Sequence, residues 1–340
     1  MLDLRQQRIC VTGGAGFLGR AVCAALRARG LKDEQVFVPR RRDYDLTQES
    51  HAARLYADAR PDVVLHLAAE VGGIGANQAT PGRFCFANLA MGLHLIEHAR
   101  RMGLRKFVMV GTVCAYPKFT PVPFREEDLW NGYPEETNAP YGVAKKTLFV
   151  LLDAYRRQYG LQSAVVLPAN LYGPADNFDL QSSHVIPALI RKAEEARMAG
   201  QDRITCWGTG GVSREFLYVD DAAEGIVRAA ERMDEPTPIN LGTGREITIR
   251  ALAELICRLC DFKGRIEWDP SKPDGQPRRC LDTSRASQLL DWQAGTSFED
   301  GLSRTIEWYR RESAGRPAAI LAPTGPQHVR PGQRPGCGSR

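Results

Sequence analysis

The sequence predicts an α/β protein with a doubly wound parallel sheet and a smaller C-terminal lobe. Short apolar runs typical of strands alternate with helical patterns through the first half of the 340-residue chain. This alternation indicates parallel strands whose two faces are covered by helices. In addition, the first apolar run leads into a glycine-rich loop that opens a helix, a pattern typical of phosphate-binding turns.

The predicted elements follow one another in regular order up to about residue 170. Strands are predicted at RICVTG, QVFVP, DVVLHLAA, KFVMVG and QSAVVLPAN. Helices are predicted at FLGRAVCAALRARG, SHAARLYADA and PGRFCFANLAMGLHLIEHARRMG, and at about 140–159. Beyond about residue 175 the pattern loosens, with short helices at 183–197, 220–231, 248–259 and 298–312. We expect a sheet domain over 1–175, rejoined by a segment around 212–247, and a lobe mainly over 176–314.

The glycine loop TGGAGFLGR is the first candidate site. Glycine allows a tight turn and lets a pyrophosphate approach the backbone, while the following helix directs free N–H groups and its positive dipole end at that anion. The spacing is GxxGxxG. The sequence therefore predicts a Rossmann-type dinucleotide-binding domain. Its loop residues are Gly13, Gly14, Ala15, Gly16, Phe17, Leu18 and Gly19.

The end of the second predicted strand indicates which dinucleotide is bound. An acidic residue there usually holds the ribose 2′-hydroxyl of NAD, whereas arginine accommodates the 2′-phosphate of NADP. This chain has Arg40, Arg41 and Arg42 before any carboxylate. NADP is therefore the predicted cofactor, and Asp45 and Leu46 are expected to flank its adenine.

Composition limits the other partners. The net charge is only +5, and the Pro-, Gly- and Arg-rich segment 315–340 is predicted to be a disordered basic tail. With no aromatic residues interleaved among its basic ones, no nucleic-acid partner is expected. Nine scattered cysteines indicate reduced thiols and a cytoplasmic setting. No signal-like N-terminus or long apolar run is evident, so no membrane partner is expected.

Two short motifs suggest metals, and we predict none. Cys257 and Cys260 form a CxxC on an apolar helix without a second ligand pair, which favours packing. His94-Leu-Ile-Glu97-His98 matches HxxEH, a zinc-site pattern of some metalloproteases. It lies on a helix of the predicted sheet domain, with no third ligand in view.

A Tyr–Lys pair provides the candidate catalytic centre. Tyr141 and Lys145 are four residues apart and share one face of a helix, so the ammonium can stabilise a phenolate. Thr112, at the end of the preceding strand, can donate its hydroxyl to a substrate oxygen. Together with the glycine loop, these residues resemble the extended short-chain dehydrogenase/reductase superfamily. The resemblance implies a homodimer and further cofactor contacts from Leu67, Ala68, Ala69, Pro168, Asn170, Leu171, Lys145 and His184.

Six segments narrow the resemblance to the GDP-L-fucose synthase family. They are AAEVGGIGANQATPGRF, CAYPK, PANLYGPADNFD, SSHVIPALIRK, WGTGGVSREFLYVDD and SKPDGQPR. Membership implies NADPH-dependent 3,5-epimerisation and 4-keto reduction of GDP-4-keto-6-deoxy-D-mannose to GDP-L-fucose. The chain beyond about residue 314 lies outside the resemblance.

The family's acid–base pair falls on Cys114 and His184. Epimerisation beside a ketone removes a proton from one face of a carbon and returns one to the other face. Thiol and imidazole suit this task because their unperturbed pKa values bracket neutrality. Cys114 is implied to be the base and His184 the acid. Thr112 and Tyr141 would stabilise the enolate, and Tyr141 would then protonate the alkoxide formed on reduction.

The resemblance also implies residues that bind the GDP-sugar. Lys192 and Arg214 would contact the diphosphate, Trp207 would stack on the sugar or guanine, and Asp274 would accept hydrogen bonds. Thr112 and Lys192 stand where the family usually has serine and arginine. Two alternatives stay open. One is a single-function reductase or epimerase acting on a related GDP-deoxyhexose or GDP-heptose, and the other is a non-catalytic NADP-binding regulator.

Overall fold

The computed structural model describes residues 1–72, 74–272 and 276–314. The predicted tail at 315–340 and the predicted substrate residue Asp274 lie outside these residues. The strands are β1 Ile9–Thr12, β2 Val36–Phe37, β3 Val63–His66, β4 Lys106–Val110, β5 Ser163–Pro168, β6 Asn170–Tyr172, β7 Arg203–Trp207, β8 Ser213–Tyr218, β9 Pro238–Leu241, β10 Glu246–Thr248 and β11 Arg265–Asp269.

A six-stranded parallel sheet forms the centre, with strand order β2-β1-β3-β4-β5-β9. Strands β1, β3, β4 and β5 are buried along their whole lengths, as expected of strands covered on both faces. The predicted doubly wound sheet is confirmed. Its last strand, β9, pairs with β5 through Val165 and Pro238.

The α-helices lie around the central sheet and in the later part of the described chain. They are α1 Phe17–Ala28, α2 Glu49–Ala59, α3 Ile74–Ala79, α4 Pro81–Arg101, α5 Ala139–Tyr159, α6 Val185–Met198, α7 Val219–Arg232, α8 Ile249–Leu259, α9 Ser284–Leu290 and α10 Phe298–Ala314. Helix α4 packs against α5, and α1 packs against α7. None of the described helices is long and apolar enough to cross a membrane.

A second apolar cluster lies away from the central sheet. It brings together buried residues of α6, α8 and α10, among them Ile190, Ile256 and Leu302. Two small sheets accompany it, in the orders β10-β8-β6 and β11-β7. The four helices predicted beyond residue 175 begin and end within two residues of α6, α7, α8 and α10. The small sheets were not predicted, because their strands are short and pair with distant segments. The division at residue 175 stays a prediction.

Candidate active site

One cavity of about 790 Å³ lies at the carboxyl edge of the central sheet. Its walls come from the residues that follow β1, β3, β4 and β5, together with the chain that leads into α6. Ligands of open α/β folds bind at this edge. Among the predicted cofactor residues, its lining includes Gly13, Ala15, Gly16, Phe17, Leu18, Gly19, Leu67, Ala68, Ala69, Pro168, Asn170 and Leu171.

The glycine loop is shaped for close backbone approach. Gly13 adopts a φ of +73°, which disfavours residues with a side chain. A Cβ on Gly19 would lie 2.1 Å from the Gly13 carbonyl oxygen, so helix and loop meet only because no side chain intervenes. Helix α1 begins just after its N-cap, Gly16, and directs its amino end at the cavity. Gly14 is a turn residue packed near Val38 and is not part of the lining.

Two of the three predicted arginines lie at the cavity. Arg40 and Arg41 line it, as do Asp45 and Leu46, whereas the exposed Arg42 does not and pairs with Asp43. The Arg41 Nη2 atom is 2.9 Å from Glu70 Oε1. A hydrogen bond from the Thr47 hydroxyl is the main cause lowering the pKa of the Asp45 carboxyl. The cavity wall therefore presents both guanidinium and carboxylate charge near β2.

Thr112, Tyr141 and Lys145 meet on one wall. The Lys145 Nζ atom donates a hydrogen bond to the Val110 carbonyl at 3.1 Å and lies 6.0 Å from the centroid of the Tyr141 ring. Burial raises the pKa of the Tyr141 phenol, the nearby Cys114 thiol adds to this, and a hydrogen bond to Thr112 partly offsets it. Burial lowers the pKa of Lys145 to about 7. Tyr141 is thus held as a phenol in this environment.

Cys114 and His184 line the same cavity from different elements. Cys114 lies in a short 3₁₀ turn after β4, and its backbone N–H donates to the Thr112 hydroxyl oxygen at 3.1 Å. The Arg279 Nη1 atom lies 3.7 Å from its Sγ atom. His184 is the N-cap residue of α6, and burial lowers the pKa of its imidazole. The residues predicted as base and acid thus border one cavity.

Asp176 is a cavity residue that sequence reasoning did not select. It lies in the PANLYGPADNFD segment next to Ala175, whose φ of +66° is unusual for a residue with a side chain. Within the described chain its Oδ2 atom is buried without a hydrogen-bond partner. Burial raises its pKa to about 7, so the carboxyl can hold a proton near neutrality. The motif was visible in sequence, but its orientation into the cavity was not.

Of the predicted substrate residues, the three that the structure describes do not line this cavity. Lys192 Nζ donates to the Thr205 carbonyl at 2.8 Å. Trp207 is 57% exposed at the end of β7, with Lys272 Nζ 5.5 Å from its ring centroid. Arg214, on β8, donates to the Ser213 carbonyl at 2.7 Å. All three belong to the elements around the second apolar cluster.

Two residues of the HxxEH motif, His94 and Glu97, have structural partners. The His94 Nδ1 atom lies 3.2 Å from the Leu46 carbonyl oxygen. Glu97 accepts hydrogen bonds from Arg100, Arg101 and Tyr155. Cys257 and Cys260 are buried free thiols. In the described part of the chain, no group of three or more His, Cys, Asp or Glu side chains could hold a metal ion.

The pKa of Lys145 leads to a stability prediction. Between its lowered value of about 7 and the ordinary 10.5, the unfolded chain binds the proton and the folded chain does not. The free energy of unfolding therefore rises with pH in this window, by at most about 1.4 kcal/mol per pH unit from this group. The neighbouring His66 stays neutral there, because burial lowers its pKa.

Urea denaturation of the cofactor-free protein and of Lys145→Met at several pH values measures this effect. As pH rises from 7 to 10, the free energy of unfolding of the wild-type protein should increase relative to that of Lys145→Met. Parallel stability curves would mean that Lys145 keeps its proton in the fold.

Comparison with known proteins places the chain among nucleotide-sugar enzymes. The model of the NAD dependent epimerase/dehydratase family matches residues 9–242. A GDP-L-fucose synthase of Sinorhizobium fredii is 41% identical, over 90% of this chain and 96% of the relative.

Solved structures agree with this likeness. A GDP-L-fucose synthetase from Naegleria fowleri bound to NADP superposes with a TM-score of 0.82 at 27% identity, covering 92% of this chain and 96% of that one. A GDP-6-OMe-4-keto-L-xylo-heptose reductase from C. jejuni superposes with a TM-score of 0.84 at 25% identity, covering 92% and 99%.

Proposed function

This chain belongs to the GDP-L-fucose synthase family, and on that premise we propose that it converts GDP-4-keto-6-deoxy-D-mannose to GDP-L-fucose. The reaction is an epimerisation at C3 and C5 followed by NADPH-dependent reduction at C4. One observation carries the proposal. Candidate groups for both reactions, Cys114 with His184 and Tyr141 with Lys145, line a single cavity that also holds the glycine loop.

Epimerisation needs a base and an acid on opposite faces of the sugar. In the proposed mechanism Cys114 removes the proton from C3 and later from C5, both of which the C4 ketone acidifies. The electron pair moves onto the C4 oxygen, where the Thr112 hydroxyl stabilises the enolate. His184 returns a proton to the other face. Burial lowers the pKa of His184, so its protonated form is a stronger acid than a free imidazolium.

Reduction uses the Tyr–Lys pair. When NADPH is bound, it supplies the hydride that reduces C4. Tyr141 donates its phenolic proton to the resulting alkoxide, and its raised pKa keeps that proton in place until the alkoxide forms. The Lys145 ammonium then stabilises the phenolate. With its pKa near 7, Lys145 is charged in only part of the population at neutral pH.

The residues present fit NADP. A side chain at Gly19 would collide with the Gly13 carbonyl. The loop therefore has no side chain at this position, beside the helix end where a pyrophosphate would bind. Arg40 and Arg41 supply positive charge farther along the cavity for the 2′-phosphate. Asp45 and Leu46 border the adenine region in this assignment.

The arginines can be tested through cofactor preference. The double variant Arg40→Ala/Arg41→Ala should raise the Kd for NADPH about tenfold or more, because charge-assisted hydrogen bonds to the 2′-phosphate are lost. The Kd for NADH should change much less. Both constants are measured by fluorescence titration. Arg42→Ala is the matched control, since Arg42 does not line the cavity. Equal weakening of both cofactors would contradict the assignment.

The GDP part of the substrate is assigned to the second lobe. Lys192 and Arg214 carry the positive charge proposed to bind the diphosphate, and Trp207 offers an exposed ring for stacking. Asp274 is kept as a proposed hydrogen-bond acceptor, although it lies outside the described residues.

A cytoplasmic homodimer completes the proposal. Eight cysteines of the described chain are free thiols, as expected in a reducing compartment. Size-exclusion chromatography with light scattering tests the dimer directly.

The alternative with a specific observation in its favour is a single-function reductase. A heptose reductase superposes well on this chain, and that relative is named for reduction alone. A non-catalytic NADP-binding regulator is the other alternative. It would need to retain the five catalytic candidates without using them.

One incubation distinguishes these functions. The protein is mixed with GDP-4-keto-6-deoxy-D-mannose and NADPH in deuterated water, and the product is identified by NMR. Deuterium at C3 and C5 of a reduced product is expected. Reduction without deuterium would support the single-function reductase, and no turnover would support the regulator.

A further inference from the structure

A segment outside the predicted catalytic set reaches the Cys114 side chain. Residues 276–282 run beside β8, where Ser213 and Glu215 donate backbone N–H bonds to the carbonyls of Pro277 and Arg279 at 3.0 and 3.1 Å. The Glu215 carboxylate accepts from the Leu281 N–H at 2.6 Å. These bonds fix the backbone that carries Arg279.

Arg279 is a buried cation with neutral hydrogen-bond partners. Only 8% of it is exposed, and its Nε and Nη2 atoms lie 3.3 and 2.9 Å from Gln276 Oε1. Gln276 is itself held, because its Nε2 atom donates to the Lys118 carbonyl at 2.9 Å. The remaining contact is Nη1 to Cys114 Sγ at 3.7 Å. Within the described ranges, no carboxylate forms an ion pair with Arg279.

The buried guanidinium of Arg279 lacks a negative charge close to it in the described part of the chain. Guanidinium stays protonated at all working pH values, and a buried charge is costly unless an opposite charge is near. The Gln276 amide satisfies hydrogen bonds but supplies no net negative charge. A thiolate at Cys114 would supply this negative charge at contact distance from the guanidinium. The site is partly buried, and charges interact more strongly there than in water.

We propose that Arg279 is a positioning residue for Cys114, because its guanidinium holds the sulfur at the cavity edge and stabilises the thiolate that accepts the substrate proton. This inference rests on the proposed epimerisation. When the thiolate forms, the thiol proton passes to solvent. The thiolate lone pair then takes the C3 or C5 proton, so that a C–H bond breaks, an S–H bond forms and the C–H electron pair passes to the enolate.

The test reads the sulfur directly in the full-length, substrate-free protein. Iodoacetamide alkylates thiolates, and mass spectrometry of the Cys114 peptide gives the alkylation rate at neutral pH. Arg279→Met should slow alkylation of Cys114 about tenfold or more, the usual effect of losing an adjacent opposite charge. Arg279→Lys retains the charge and should restore most of the rate.

Arg278→Met is the matched control, because Arg278 is exposed, pairs with Glu246 and should leave the rate unchanged. An unchanged rate in Arg279→Met, or an equal loss in Arg279→Lys, overturns the proposal. If Arg279→Met does not fold, the alkylation rates of Arg279→Gln and Arg279→Lys are compared instead. Equal rates in these two variants would overturn the proposal.

The readout needs no turnover. If the wild-type protein fails to exchange deuterium at C3 and C5, the proposed function fails while the alkylation result still judges the Arg279–Cys114 contact. Where exchange does occur, Arg279→Met should lower its kcat by a factor similar to that for alkylation.

Discussion

Replacing Cys114 by serine is expected to lower deuterium exchange at C3 and C5 by about 10²–10⁴-fold, the range typical of losing a general base. Serine preserves the size of the side chain and the turn after β4. A hydroxyl, however, loses its proton far less readily than a thiol, so it seldom provides an anionic base near neutral pH. NADPH binding should persist, because the glycine loop and the arginines are untouched. The measurement is NMR of the sugar during incubation in deuterated water.

Cys85→Ser provides the matched control for this prediction. Cys85 is also a half-buried free thiol, but it lies on α4 and does not line the cavity. Its replacement should leave exchange at the wild-type rate. If Cys114→Ser exchanges as fast as this control, the base must be sought elsewhere, and Asp176 would be the first carboxyl to examine.

The parts of the site that could be predicted are those encoded by local pattern. The glycine loop follows its strand directly, and Tyr141 and Lys145 share a helical face by spacing alone. The sheet-edge position of Thr112 follows from the strand that precedes it. For such residues, covalent connection and secondary structure already fix most of the geometry.

The residues that escaped prediction depend on contacts between distant segments. Arg279 reaches Cys114 across 165 positions of the chain because residues 276–282 pair with β8. Asp176 enters the cavity through an irregular loop with a positive-φ residue beside it. Neither placement has a periodic signal, since short strands and loops take their course from tertiary packing.

The structure also changes how the Tyr–Lys pair is understood. The sequence suggested that Lys145 lowers the pKa of Tyr141, yet burial raises the pKa of the phenol and lowers that of the amine. In a reductive direction this is the useful arrangement. The tyrosine must arrive protonated, and the ammonium is needed mainly after the proton has left.

Tyr141→Phe is therefore expected to reduce NADPH oxidation by about 10²–10⁴-fold, because no other group is assigned to protonate the C4 alkoxide. The loss should appear in kcat and much less in KM, since the change removes one oxygen from a residue proposed to act mainly in the transition state. Exchange at C3 and C5 should fall far less. Cys114 and His184 stay in place, and Thr112 still faces the enolate.

Tyr155→Phe is the control on the same helix. Its hydroxyl donates to Glu97 at 2.8 Å, and the residue does not line the cavity, so NADPH oxidation should stay at the wild-type rate. Stopped-flow absorbance of NADPH gives the reduction rate, and NMR gives exchange in the same samples. Equal losses of both activities in Tyr141→Phe would show that one proton donor serves both steps. If two separate catalytic pairs act in one cavity, exchange and reduction can be lost independently. Cys114→Ser should then stop exchange, whereas Tyr141→Phe should stop reduction while exchange continues.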